Sequence, residues 1–231
     1  MDRGSRVNDV ATSNSSVRRT LSEEKSKELL APCGVPLLAE RVVTSPGAAG
    51  AAAVELGFPV VAKLCGDNIA HKTERGLVRL GLGDEAAVQR AATELLDAAR
   101  PEDGQVGVLV APMVHGAREL IAGVTHDPQF GPTVMVGIGG VFAEALGDVA
   151  FRLLPITRTD AEEMLEDLTN QVLLGPFRGE PAVDRPAVVE VLLGLSELVA
   201  THPEVVSVDL NPLIIVDGRP VAVDALVEIE G

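Results

Sequence analysis

The stretch VVSVDLNPLIIVDGRPVAVD, residues 205–224, decides how this chain is read, because it sets two apolar runs on either side of an Asp-Gly turn. Asp217 and Gly218 form a two-residue hairpin signal that fixes the strand register. Val216 then faces Arg219, and counting back along both strands brings Asn211 opposite Asp224. Alternation puts Asp209, Asn211 and Asp224 on one face. It puts Leu210, Ile214, Val216, Val221 and Val223 on the other, as a core surface. Directly opposed side chains lie roughly 4.5–5.5 Å apart at Cβ, which lets one hard cation bridge them. Oxygen ligands suit magnesium, which favours one or two carboxylates plus phosphate oxygens, so the pair suggests a nucleotide site. Pro212 falls where the ladder wants an amide donor and predicts a break or kink beside Asn211. A solvated hairpin whose polar face meets water fits the same residues equally well.

Outward from this hairpin, composition bounds the rest. With 231 residues and 46% apolar content, the chain has material for one large domain or two small subdomains around a real core. Its formal charge is −15, which argues against nucleic acid and against an anionic membrane surface. Acidity leaves ATP open, since magnesium and a few local cations set the potential where phosphate sits. Trp and Tyr are absent and Phe occurs five times, so stacking platforms have little material. Cys33 and Cys65 lack CxxC spacing, and with no signal peptide in view they read as two reduced thiols in a cytoplasmic protein. No uninterrupted apolar run reaches membrane-spanning length.

Residues 1–19 are polar and without apolar period, which predicts a disordered tail. Thr20 and Glu23 have capping-box spacing and open a helix that runs to Leu30. Ser45 and Pro46 start a second helix that closes at Gly57. FPVVAKL is a strand ending in Lys63. The loop CGDNIAHKTERG leads to the strand LVRLGL and a helix over residues 84–99. VGVLVAPMV and RELIAGVTHD read as two antiparallel strands joined by a turn at His115-Gly116. TVMVGI and AFRLLPI give further strands, and helices follow from Asp160 and over residues 185–200. The expected division is a tail at 1–19, an N-terminal subdomain at 20–109 and a C-terminal subdomain at 110–231 that carries the hairpin.

Taken singly, the polar residues support two readings each. Lys63 at the end of an apolar strand either snorkels to water or reaches a phosphate in a cleft. His71, flanked by Asp67, Asn68 and Lys72, either sits in solvent or serves as a nucleophile toward phosphorus beside neighbouring cations. GIGGVFAEALGD, residues 137–148, either makes a tight turn or brings backbone amides to a phosphate, with Glu144 nearby. Glu119, just past the turn, is either an ordinary exposed acid or a strand carboxylate facing the cleft, where it joins the nucleotide-contacting residues. No HxH or HExxH spacing supports zinc, and no GxSxG elbow supports hydrolase chemistry.

The order of these segments is more specific than any one of them. Lys63 on its strand, NIAHKTERG, VLVAPMV, RELIAGVTHDPQFGP, GIGGVFAE, FRLLP and VDLNPLIIVDGRPVAVD together resemble the ATP-grasp domain of the nucleoside-diphosphate-forming acyl-CoA synthetases. Within that family the run is most similar to the separate beta subunit of ADP-forming acetyl-CoA synthetase, over residues 20–229. The resemblance implies an α+β ATP-grasp fold, two α+β subdomains with ATP or ADP held between them. It implies that Lys63 binds phosphate, that Ala111, Met113 and Val114 lie against adenine, and that Asn211 and Asp224 bind Mg2+, with Asp209 as a third ligand. His71 then carries a phosphoryl group, and Glu144 matches a glutamate near the active site. Where several relatives have Asp-Val-Gly-Gly after the histidine, this chain has Glu74-Arg75-Gly76-Leu77. The implied activity is an acid-thiol ligase of the ADP-forming acetate–CoA type, and with no CoA-binding region in the chain it needs an alpha-type partner subunit. A nucleotide-sensing scaffold or a carboxylate-amine ligase on the same fold is the alternative.

Overall fold

In the computed structural model of the chain, residues 18–69, 72, 74–140 and 147–231 are described. Alternating apolar residues build two antiparallel sheets, and each buries one face under helices. The smaller sheet holds β2 (Arg41–Val43), β3 (Val60–Gly66), β4 (Val78–Leu82) and β5 (Val106–Pro112), in the spatial order β2-β5-β3-β4. Lys63 of β3 stands opposite Leu109 of β5 and Val78 of β4. Helices α2 (Pro46–Leu56) and α3 (Glu85–Asp97) cover one face of this sheet. There Val60, Ala62 and Leu64 pack with Ala49, Ala53, Val88 and Leu95. The period of two therefore turns Val61 and Lys63 to the other face.

Both helices start where their residue types direct. Ser45 accepts a hydrogen bond from the Ala48 amide (3.3 Å) with Pro46 at the first helical position. Asp84 accepts one from the Ala87 amide (2.8 Å). The first helix differs from expectation. Thr20 lies in β1 (Arg18–Thr20), and Ser22 caps α1 (Glu23–Leu30) by accepting from the Lys25 amide. Moving the cap by two residues frees Glu23 to point into the protein, where it is 3% exposed.

The larger sheet adds β6 (Glu119–Asp127), β7 (Gly131–Ile138), β8 (Val149–Leu153), β9 (Val205–Val216), β10 (Arg219–Ala222) and β11 (Leu226–Glu230). Its order is β1-β11-β9-β6-β7-β8, with β10 also paired to β9. Helix α4 (Arg158–Asp167) and the long apolar helix α5 (Arg185–Thr201) lie over it. Val188, Leu192 and Leu195 meet Val134, Val136 and Leu213 in this core. The expected boundary at residue 20 is therefore corrected. Strand β1 pairs with β11, and Leu30 of α1 belongs to the core of the larger sheet, so residues 18–30 pack with the C-terminal half although they precede the N-terminal one in sequence.

A second correction concerns residues 106–127. β5 and β6 are not a hairpin, because they belong to different sheets and the link between them crosses from one half to the other. Gly116 in that link lies so close to β9 that a Cβ there would stand 2.2 Å from the Ile215 carbonyl. Among the described residues no helix is long and apolar enough to cross a membrane.

The hairpin at 205–224 has the register its turn dictates, with Val216 opposite Arg219 and the ladder running on to Leu213 opposite Ala222. Asp217 (φ 49°) and Gly218 (φ 85°) supply the positive φ values of the turn. The ladder stops at Pro212, as its missing amide predicts. The faces do not follow a single alternation. Leu120 of β6 stands opposite Leu213 while Ala122 stands opposite Leu210, so β9 carries an extra residue at Asn211–Pro212. That bulge inverts the alternation. Leu210, Leu213, Ile215 and Ala222 enter the core, whereas Ile214, Val216, Val221 and Val223 are only partly buried.

Candidate functional site

Between the two halves lies a cleft of about 380 Å³. One wall is the exposed face of the small sheet, with Val61 and Lys63 of β3, Leu80 of β4 and the segment from Ala111 to Val114. The other wall is the bulged hairpin, with Pro212, Ile214, Val223 and Asp224. The inversion at the bulge is what gives this wall its apolar residues. The cleft is mostly apolar along its length and charged at one end, the distribution expected of a site that holds a flat apolar group and orients a charged one.

The charged end is a buried cluster that joins both halves. Lys63 Nζ donates to Glu23 Oε1 (2.7 Å) and to the Val223 carbonyl (2.7 Å), and lies 3.8 Å from Asp224 Oδ2. Lys72 Nζ donates to Glu23 Oε2 and to Asp224 Oδ1 (3.0 Å). Lys27 Nζ donates to Glu23 Oε1 (2.8 Å) and to Glu40 Oε2 (2.6 Å). Three ammonium groups thus face three carboxylates. Glu23 stands at the centre with its side chain 1% exposed, while that of Asp224 is 30% exposed and opens on the cleft.

Burial alone would raise the Glu23 carboxyl, but Lys63, Lys72 and Lys27 outweigh it and hold it well below the usual carboxylate range. Asp224 goes the other way. Its burial beside Glu23 raises it above the ordinary value in spite of Lys63 and Lys72. For Lys72, burial is more than offset by Glu23 and Asp224, so its pKa is raised and it stays an ammonium. Asp224 is therefore a carboxylate that a further cation facing the cleft would favour.

The cleft gathers five of the ten residues expected from the sequence. Lys63, Ala111, Met113, Val114 and Asp224 all line it. Along the hinge, Pro112 has no amide and the Met113 amide donates to the Pro59 carbonyl (2.9 Å), while the Val114 amide makes no hydrogen bond to a described residue. Asn211 is exposed and lies just past the end of the hairpin ladder, next to Pro212 of the cleft wall. Asp209 is also exposed, opposite Gly123 of β6 and Leu226 of β11. Glu119 does not line the cleft. It stands opposite Ile214, its carbonyl accepts from the Gly139 amide (2.8 Å), and a Cβ on Gly140 would lie 3.7 Å from its carboxylate. His71 and Glu144 lie outside the described residues.

Among the described residues no three His, Cys, Asp or Glu side chains are grouped to hold a metal ion. The donor that opens on the cleft is instead one carboxylate, Asp224, and Asn211 adjoins Pro212 of the same cleft wall. That set fits magnesium, which keeps waters and phosphate oxygens in its coordination shell and does not fit a closed cage of thiolates or imidazoles.

Two residues central to the arrangement carry little sequence signal. Glu23 reads as an acidic residue in a first helical turn, and nothing local ties it to lysines 40 and 49 residues away. Arg118, 4% exposed, donates to the carbonyls of Leu173, Gly175 and Pro181 and pairs with Glu180. It pins the segment between α4 and α5 behind the larger sheet. A charged residue at the first position of RELIAG was its only mark.

Comparison with known proteins agrees with this architecture. The chain is 34% identical over 228 residues to the Pyrococcus furiosus acetate–CoA ligase [ADP-forming] I subunit beta, a match that takes in 97% of this chain and 98% of that one. It is 41% identical over 175 residues to Archaeoglobus fulgidus acetate–CoA ligase [ADP-forming] I, 74% of this chain but 25% of that longer protein. Among solved structures it superposes on the Ca. Korarchaeum cryptofilum dinucleotide forming acetyl-coenzyme A synthetase 1, with a TM-score of 0.76 and 35% identity over 90% of this chain and 91% of that one. That structure holds coenzyme A and Mg-AMPPCP, with its phosphohistidine segment pointing towards the nucleotide binding site. The family model of the ATP-grasp domain matches residues 12–229, which takes in both sheets and the cleft between them, and the chain belongs to the ATP-grasp family with its α+β fold.

Proposed function

We propose that this chain is the nucleotide-binding, beta-type subunit of an ADP-forming acyl-CoA ligase of the acetate–CoA type. It passes a phosphoryl group between nucleotide and a CoA-binding alpha-type partner subunit by way of a histidine. The observation that carries the reading is Lys63, buried in the wall of a cleft whose far end is apolar and whose near end opens on Asp224. Ala111, Met113 and Val114 contact the adenine, and the Val114 amide is the hinge donor. Lys63 and Lys72 face the phosphates. Asn211 and Asp224, with Asp209 beside them, hold Mg2+, which when bound neutralises charge on the transferring group. Phosphoryl transfer asks little covalent work of a protein beyond positioning and charge neutralisation, and that is what this end of the cleft offers.

His71, one residue before the anchored Lys72, accepts and donates the phosphoryl group, with Glu144 as a further catalytic residue and Glu119 as a nucleotide contact. The free acid and CoA bind on the partner, so acyl-CoA forms only when both subunits are present. Calorimetric titration with Mg·ADP and Mg·ATP tests the nucleotide reading. The unaltered chain is expected to bind both and Lys63→Met to bind each at least about tenfold more weakly, the loss of one charge-assisted contact to phosphate. Equal binding by the two proteins would remove Lys63 from the site.

A further inference from the structure

Lys72 sits at a fork between two carboxylates of unequal access. Its ammonium donates to Glu23, which is buried away from the cleft, and to Asp224, which opens on it. Its carbonyl accepts from the Leu77 amide (2.8 Å), and the Leu77 carbonyl accepts from the Leu64 amide on β3, so the backbone at Lys72 is tied to the small sheet. Lys63 repeats the pattern, bonded to Glu23 and 3.8 Å from Asp224. Asp224 is thus bonded from within by the Lys72 ammonium, with the Lys63 ammonium close behind. A divalent cation on the same carboxylate would meet them at close range in a partly dry site, where charge repulsion is little screened.

We propose that Lys72 is a tethered cation that occupies Asp224 until a divalent metal displaces it, and that Glu23 is the positioning residue that retains the displaced ammonium. The inference rests on the reading of Asp224 as a metal ligand. It adds that metal arrival at the hairpin shifts the Lys72 ammonium off Asp224 and onto Glu23, while the Lys72 backbone stays tied to the small sheet. Glu23 keeps Lys63 and Lys72 together as a pair at the phosphate end. Without Glu23 both lysines would turn to Asp224 and hold it against the metal. The two substitutions that dismantle the fork therefore act on metal binding in opposite directions.

The test is binding of Mn2+ alone, without nucleotide, measured by electron paramagnetic resonance on the full chain. Lys72→Met is expected to bind Mn2+ about tenfold more tightly than the unaltered chain, because a competitor has gone, and Glu23→Gln about tenfold more weakly. Circular dichroism melting confirms that each variant is folded, and Lys72→Met alone decides the outcome if Glu23→Gln does not fold. Weaker or unchanged Mn2+ binding in folded Lys72→Met overturns the proposal while leaving the metal site in place, provided Asp224→Asn abolishes binding. Mn2+ binding that survives in Asp224→Asn, or no Mn2+ binding by the unaltered chain, overturns the metal reading and the proposal together.

Discussion

Replacing Glu23 with Gln removes the central charge of the cluster and should cost the fold more than any other single polar substitution near the cleft. The Glu23 side chain is 1% exposed and accepts from Lys27 (2.8 Å), Lys63 (2.7 Å) and Lys72. Glutamine keeps one accepting oxygen but presents an amide N–H₂ to ammonium groups, and it leaves three cations facing only Glu40 and Asp224. Breaking a buried ion pair from one side costs about 3–5 kcal/mol, and the retained carbonyl places this case near the lower value. For a chain of this length that is a fall in melting temperature of about 6–12 °C. Urea unfolding followed by far-UV circular dichroism is the suitable assay, since without Trp or Tyr the chain has almost no intrinsic fluorescence.

The difference between the two proteins should also depend on pH. The folded-state pKa of Glu23 is depressed, so its contribution is fully present above the unfolded carboxyl value of about 4.3 and fades as pH falls below it toward the lower folded value. Adding Lys72→Met to Glu23→Gln restores the charge balance and should recover about 1 kcal/mol or more. A loss under about 1 kcal/mol in Glu23→Gln, or no recovery in the double variant, would refute the cluster as the joint between the two halves.

Further outcomes follow from the supports behind the site. Asp148, 6% exposed, accepts from the amides of Thr169 (2.7 Å) and Asn170 (2.8 Å) and from the Asn170 side chain (2.8 Å). Burial opposes its ionisation, but these donors hold its pKa below the usual value. Asp148→Asn should lose about 1.5–3 kcal/mol at neutral pH, and the gap should close as pH falls below about 4, as equilibrium unfolding across pH would show. Arg118→Met strands the carbonyls of Leu173, Gly175 and Pro181, and should cost about 3 kcal/mol and expose residues 171–181 to limited proteolysis. Equal cleavage rates in the two proteins would count against that role.

Much of the local structure was legible because single residues dictate it. Ser45, Pro46 and Asp84 place two helix starts, and Asp217-Gly218 sets the register of the hairpin. What alternation could not give was the phase beyond a bulge. One extra residue at Asn211–Pro212 moves Leu213 and Ile215 into the core and Ile214 to the cleft, and Val223, just past the end of β10, joins it there. Pro212 announced a defect but not its consequence. The crossing between β5 and β6 was hidden for a related reason, since two apolar runs with a Gly turn look alike whether they share a sheet or leave it. Glu23 is the clearest gap. Its capping position explains its presence so well that its role at the centre of a long-range cluster leaves no local trace.

The site itself was readable mainly from segment order. Lys63, the hinge and Asp224 converge on one cleft, while Glu119 turns toward Gly139 and Gly140. The proposed function turns on phosphoryl passing through this chain to or from a CoA-binding partner. Incubating the chain and an alpha-type subunit with ATP labelled in the γ-phosphate tests it most directly. An acid-labile label is expected on this chain, absent in His71→Ala although that variant still binds Mg·ATP, and acyl-CoA is expected only when both subunits are present. Undiminished label on His71→Ala, or acyl-CoA made by this chain alone, would contradict it.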